Sequence, residues 1–182
     1  MFPALVEFFT TQDELLKTYI EGKYTMFPNE KHWPDANSTL RITYGKLEGS
    51  TPKDGMSYIE HTTVDGILEK WETGNPDFEL LPELVDFFKQ KDYGKYAQDG
   101  EMWVCFTGSN HTTGGNSGSP VINADGFLMG LNFDRSWEST MSDFIFDPTR
   151  CRNIAVDIRY VLWIMDKYAG ATRLIEEMDL RY

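Results

Sequence analysis

The chain opens on a helical pattern and changes period near residue 39. Along residues 1–30 apolar positions recur at helical spacing, most clearly Leu15, Leu16, Tyr19 and Ile20. Thr11-Gln12-Asp13-Glu14 fits a capping box, which predicts a helix start at Thr11 with Glu14 reaching back. Pro28 and Pro34 punctuate a loop. From Thr39 the period falls to two. Leu40, Ile42 and Tyr44 alternate with Arg41, Thr43 and Gly45, the pattern of a half-buried strand. A second strand is expected through Ser57-Tyr58-Ile59-Glu60-His61, then short helices over 63–72 and 82–90, the latter with Pro82 in its first turn.

The second half reads as strands around one polar loop. Met102-Trp103-Val104-Cys105-Phe106 is a short apolar strand, and 120–123 is the next. Ala124-Asp125-Gly126 carries the Asp-Gly hairpin signal, after which 127–134 returns as a strand. A strand near 153–156 leads into a helix over 158–168, closed by Gly170, and a last helix spans about 171–178. No internal repeat or low-complexity tract is present. The predicted order is a helical segment, a mainly β body and a helical end.

Composition narrows the classes without choosing among them. A chain of 182 residues suffices for one domain with a proper core, or one and a fraction. No apolar run approaches membrane-spanning length. Residues 1–9 are apolar but lack a basic start and a small-residue cleavage site, so they do not read as a signal peptide. The formal net charge of −12 argues against nucleic acid and anionic membrane as partners, and disfavours acidic substrates at long range. Cys105 and Cys151 are too few for a disulfide scaffold and lack metal spacing; they read as two buried thiols. No metal or cofactor motif is present.

Chemistry concentrates in Thr113-Gly114-Gly115-Asn116-Ser117-Gly118-Ser119-Pro120, followed by Val121-Ile122. Small neighbours leave the Ser117 hydroxyl accessible. They also let the backbone N–H groups of Gly115 and Ser117 turn toward one point, where an oxyanion can form. A serine needs a base, and the chain offers only His32, His61 and His111. His32 sits in the Pro-bounded loop. His61 precedes Thr62-Thr63, but lies too close in sequence to Ser117 for one barrel to close and most of another to form between them. His111 shares the loop with Ser117, whereas a triad histidine in a chymotrypsin-like fold comes from the other barrel. All three read as structural residues.

Further motifs fall in a consistent order. Upstream are Pro34-Asp35-Ala36-Asn37-Ser38-Thr39-Leu40-Arg41 and Thr43-Tyr44-Gly45-Lys46. Downstream are Asn132-Phe133-Asp134-Arg135-Ser136-Trp137-Glu138, the run Asn153-Ile154-Ala155-Val156-Asp157-Ile158-Arg159-Tyr160-Val161-Leu162, and Asp166-Lys167-Tyr168-Ala169-Gly170. From about residue 13 to about residue 170 the chain resembles the C-terminal part of the bacterial exported dipeptidyl peptidases 7 and 11. That resemblance implies a serine exopeptidase with a chymotrypsin-like double barrel and an inserted helical domain, which removes dipeptides from a free peptide N-terminus. Residues 1–33 would then end the helical domain, 34–157 form the second β-barrel with the nucleophile, and 158–182 supply closing helices. Ser117 matches the family nucleophile. Asp134 matches the carboxylate that helps hold the substrate's N-terminal ammonium. Arg135 stands where arginine goes with aspartate or glutamate at the penultimate substrate residue, which places the chain nearer the dipeptidyl peptidase 11 branch. The resemblance also implies a periplasmic or cell-surface location, peptide substrates and a possible homodimer.

The residues support those roles physically. A guanidinium grips a carboxylate through two parallel hydrogen bonds. Asp134 would point to the opposite face from Arg135 if its strand stays regular. Screening removes most of the long-range repulsion beyond about 8–10 Å at physiological salt, so one placed arginine can dominate locally. The family's catalytic histidine and aspartate have no counterpart motif here, so the isolated chain is expected to be inactive. Two other readings stay open: a glutamyl endopeptidase-like serine protease, or a non-catalytic folded half-domain or binding module. The sequons Asn37-Ser38-Thr39 and Asn110-His111-Thr112 are chance triplets on this reading, the acidic run from Glu176 to Asp179 is a solvated helix end, and the tryptophans serve packing.

Overall fold

The computed structural model describes residues 2–30, 32 and 38–181. Pro34 and the Asn37 sequon lie outside the described residues. The chain divides into two compact units, Met1–Pro34 and Asp35–Tyr182.

Among the described residues of the first unit, the helix is α1 (Pro3–Met26). Pro3 starts it at a position where the missing N–H costs nothing. The expected start at Thr11 is therefore wrong: Thr11 lies inside the helix, and its N–H needs no cap. Neighbouring threonines instead bond one turn back, Thr10 Oγ1 to Val6 O (2.9 Å) and Thr18 Oγ1 to Glu14 O (3.1 Å). Among the described residues, no helix is long and apolar enough to cross a membrane.

The second unit is a sheet flanked by helices. A small hairpin pairs β1 (Ser50–Lys53) with β2 (Met56–Tyr58) across Gly55, whose φ of 72° suits glycine. Then follow β3 (His61–Thr63), α2 (Val64–Glu72), α3 (Pro82–Gln90) and β4 (Trp103–Gly108). The site loop leads to β5 (Pro120–Ile122) and β6 (Leu128–Arg135). After a 3-10 segment, Trp137–Asp143, come β7 (Asn153–Asp157), α4 (Ile158–Trp163) and α5 (Thr172–Glu176). The five longer-range strands form one antiparallel sheet in the order β3-β4-β7-β6-β5. Among the described residues this sheet stays open and closes no barrel.

The core gathers around Trp163, which is fully buried. Phe87 stacks on its ring at 4.4 Å, Phe88 at 5.8 Å, and Tyr93 meets it edge-on at 5.3 Å. Its indole N–H donates to Asp92 O (2.9 Å), so the buried donor is satisfied. Val64 and Met102 join the same cluster. Tyr96 donates to Asp166 Oδ2 (2.8 Å), and burial together with that carboxylate pushes the phenol up to about 12.

Two strand expectations fail. Residues 39–46 form no strand; only Leu47 bridges to Gly108. Leu40, Ile42 and Tyr44 stand 94%, 86% and 86% exposed. Alternation specifies a face, but no described strand lies alongside to cover it. The strand expected through 57–61 is two strands in different sheets, because the chain crosses between sheets after Tyr58.

Candidate active site

The loop between β4 and β5 is built by asparagines. Asn116 Oδ1 accepts from Thr113 N (2.9 Å), and Asn116 N donates to Thr113 O (3.3 Å), closing a tight turn. Gly115 and Gly118 take φ of 90° and 83°, a region that side chains with a Cβ rarely adopt. The buried Asn132 on β6 then holds the loop from below. Its backbone accepts from Gly118 N (2.7 Å) and donates to Ser119 O (2.9 Å), its amide donates to Asn116 O (3.2 Å), and its Oδ1 accepts from Asn153 (3.0 Å).

Held this way, Ser117 is exposed, and its hydroxyl donates to Phe133 O (3.3 Å). Among the described residues, no acceptor takes the N–H of Gly115 or of Ser117. The loop thus combines two amides that have no described acceptor with an exposed hydroxyl.

β6 is irregular just before Asp134, whereas Asp134 and Arg135 themselves pair with the consecutive Ile154 and Asn153. Asn132 pairs with Ala155 and Asp134 with Ile154, so Phe133 is an extra residue in β6. This bulge re-aims the strand end. Ser117, Asp134 and Arg135 line one cavity of about 140 Å³, together with Thr112, Thr113, Gly114, Asn132 and Phe133. That volume suits one side chain, well below the 300–1,000 Å³ of pockets that enclose whole small molecules. Asp134 Oδ1 accepts from Arg135 N (2.8 Å).

Arg135 has partners that no sequence motif announced. Its Nη1 and Nη2 donate to the two oxygens of Asp143 (2.5 and 2.7 Å), and Nη1 also reaches Ser142 Oγ (3.0 Å). Both residues end the 3-10 segment after β6. The hydrogen bond from Arg135 holds the Asp143 carboxyl below its ordinary range, and the same bond pushes the guanidinium higher. Asn132 was equally unassigned, although a buried amide on a strand was its one available signal.

The three histidines have other partners. His111 Nε2 meets Ser142 O (3.0 Å) and its ring tilts against Phe146; burial, foremost, lowers its pKa. His61 stacks on Trp103 (3.8 Å, 4° between planes) and is partly exposed. His32 contacts Phe27 O within the first unit. None bonds Ser117. Cys105 and Cys151 are both free thiols. Among the described residues, no three His, Cys, Asp or Glu side chains group as a metal site.

This exposed hydroxyl stands on a glycine-bounded loop, and the chain belongs to the Peptidase S46 family, whose profile matches residues 6–180. It is 53% identical over 166 residues to the Asp/Glu-specific dipeptidyl-peptidase of Flavobacterium psychrophilum, covering 91% of this chain and 23% of that protein. It is 47% identical over 177 residues to dipeptidyl-peptidase 7 of Phocaeicola vulgatus, covering 97% of this chain and 24% of that one. Among solved structures, Porphyromonas endodontalis DPP11 in complex with the dipeptide Arg-Glu superimposes with a TM-score of 0.82 at 44% identity, covering 90% of this chain and 24% of that one. The chain therefore spans about a quarter of the length of the relatives it matches.

Proposed function

We propose that this chain is the nucleophile-bearing part of a serine dipeptidyl peptidase that releases N-terminal dipeptides with Asp or Glu at the penultimate position, on the second barrel of a chymotrypsin-like architecture. One observation carries the reading: the exposed Ser117 and Arg135 line one cavity sized for a single side chain. Support comes also from relatives named for Asp/Glu-specific dipeptide release.

In this reading a base from outside the chain takes the Ser117 proton while Oγ attacks the carbonyl carbon of the second substrate residue. The developing oxyanion faces the Gly115 and Ser117 N–H groups. The C–N bond then breaks, the leaving amine receives the proton, and water hydrolyses the Ser117 ester. Arg135 receives the acidic side chain. Asp134, with one oxygen turned to its neighbour's N–H, offers the other to the substrate ammonium. Export to the periplasm or cell surface belongs to the same proposal.

The test uses a polypeptide supplying the remaining S46 length. Leu-Asp and Leu-Glu amides should turn over, N-acetylated versions should not, and Ser117→Ala should lower kcat by at least about a thousandfold. Equal turnover of blocked peptides would instead favour a glutamyl endopeptidase. The 182-residue chain alone should be inactive, since none of its described histidines bonds Ser117. Turnover by that chain, abolished in the alanine variant, would contradict this.

A further inference from the structure

Arg135 is held from one edge only. Asp143 and Ser142 occupy the Nη1–Nη2 edge, whereas the Nε–H carries no hydrogen bond among the described residues. Arg135 lines the Ser117 cavity, but Asp143 and Ser142 do not. The grip therefore comes from residues outside the cavity lining, and the guanidinium keeps an Nε edge without a described partner, an edge able to take a further carboxylate. A planar fork can serve two carboxylates in this way, one on each edge.

The anchor is itself tied to the nucleophile loop. His111, on the Ser117 loop, bonds Ser142 O (3.0 Å), and Ser142 is 1% exposed. Loop, histidine, 3-10 segment and guanidinium thus form one connected set. A flexible arginine would otherwise lose rotamer freedom each time a substrate bound. Resting on the function proposed above, we infer that Asp143 is a positioning residue: it fixes the Arg135 guanidinium beside the Ser117 cavity and so sets selectivity for acidic over apolar penultimate residues.

The experiment compares kcat/KM for Leu-Asp and Leu-Leu amides in the complete polypeptide, for Asp143→Asn, Asp143→Glu and Arg135→Gly. Asp143→Asn should cut the acidic-to-apolar ratio by about tenfold or more, mainly through KM for the acidic substrate, and Asp143→Glu should restore part of it. An unchanged ratio overturns the inference. So does an equal loss on both substrates, which marks a merely structural residue, and so does a raised ratio, which marks a competitor. Arg135→Gly separates the two levels. If it leaves the ratio intact, the role of Arg135 fails and the inference falls with it. If it collapses the ratio while Asp143→Asn does not, only the inference falls.

Discussion

The aromatic core around Trp163 and the edge that carries Ser117 are assembled on opposite terms. In the core, apolar groups from α2, α3, α4 and the start of β4 cover one another, and Trp163, Val64 and Phe88 are 1% exposed or less. At the edge the apolar groups face outward: Ile122 is 62% exposed, Phe133 47% and Phe144 88%. Polar residues hold that edge together instead, with Asn116, Asn132 and Asn153 bracing the loop and Asp143 bracing Arg135. Stability is concentrated in one region and presentation in the other, a division expected when binding groups sit on loops over a rigid scaffold.

The largest expected effect strikes the core. Trp163→Ala should destabilise the second unit by about 3–5 kcal/mol, through lost packing and an orphaned Asp92 carbonyl. Urea denaturation followed by far-UV circular dichroism measures it, and a loss under ~1 kcal/mol would mean that the core is not organised around this ring.

Asp157 sits between the two regions, ending β7 and capping α4 through Arg159 N (2.7 Å). Burial raises its carboxyl pKa. The folded chain thus binds this proton at higher pH than the unfolded chain does. Its contribution to stability therefore grows as pH falls through the raised pKa and is lost as pH rises above it. Asp157→Ala should cost about 0.5–2 kcal/mol, whereas Asp157→Asn keeps a cap and removes a buried charge. The asparagine variant should gain on the native chain at pH 7 and lose that gain on acidification. A gain that increases toward low pH would contradict the burial argument.

The smallest effect belongs to the exposed row. Ile42→Ser should change the stability of this chain by less than about 0.5 kcal/mol, because its side chain is 86% exposed. A larger loss in urea titration would show that the row is packed.

Legibility in the sequence followed the range of the interactions. Pro82 at a helix start and the Asp125-Gly126 turn are local signals whose elements formed where expected, and Gly170 follows the π-helical stretch Ile164–Tyr168 that continues α4. The Thr113–Pro120 loop was legible for the same reason. Thr11-Gln12-Asp13-Glu14 misled because Pro3 starts the helix earlier. Leu40, Ile42 and Tyr44 misled because alternation names a face and not its partner. The bulge at Phe133 was invisible because one inserted residue shows only in the register against β7. Asp143 was invisible because its pairing with Arg135 depends on how the 3-10 segment folds back, not on any spacing within a motif.

The central claim is that Ser117 and Arg135 act on one substrate in one cavity. Its most direct measurement is covalent labelling of the complete polypeptide by dipeptide diaryl phosphonates with aspartate or leucine side chains at the second position. Ser117 Oγ displaces the aryloxide from phosphorus, and mass spectrometry locates the adduct. The account predicts an adduct on Ser117, faster labelling by the aspartate reagent, and reversal of that preference in Arg135→Gly. An adduct on another residue, or a preference indifferent to Arg135, would contradict it.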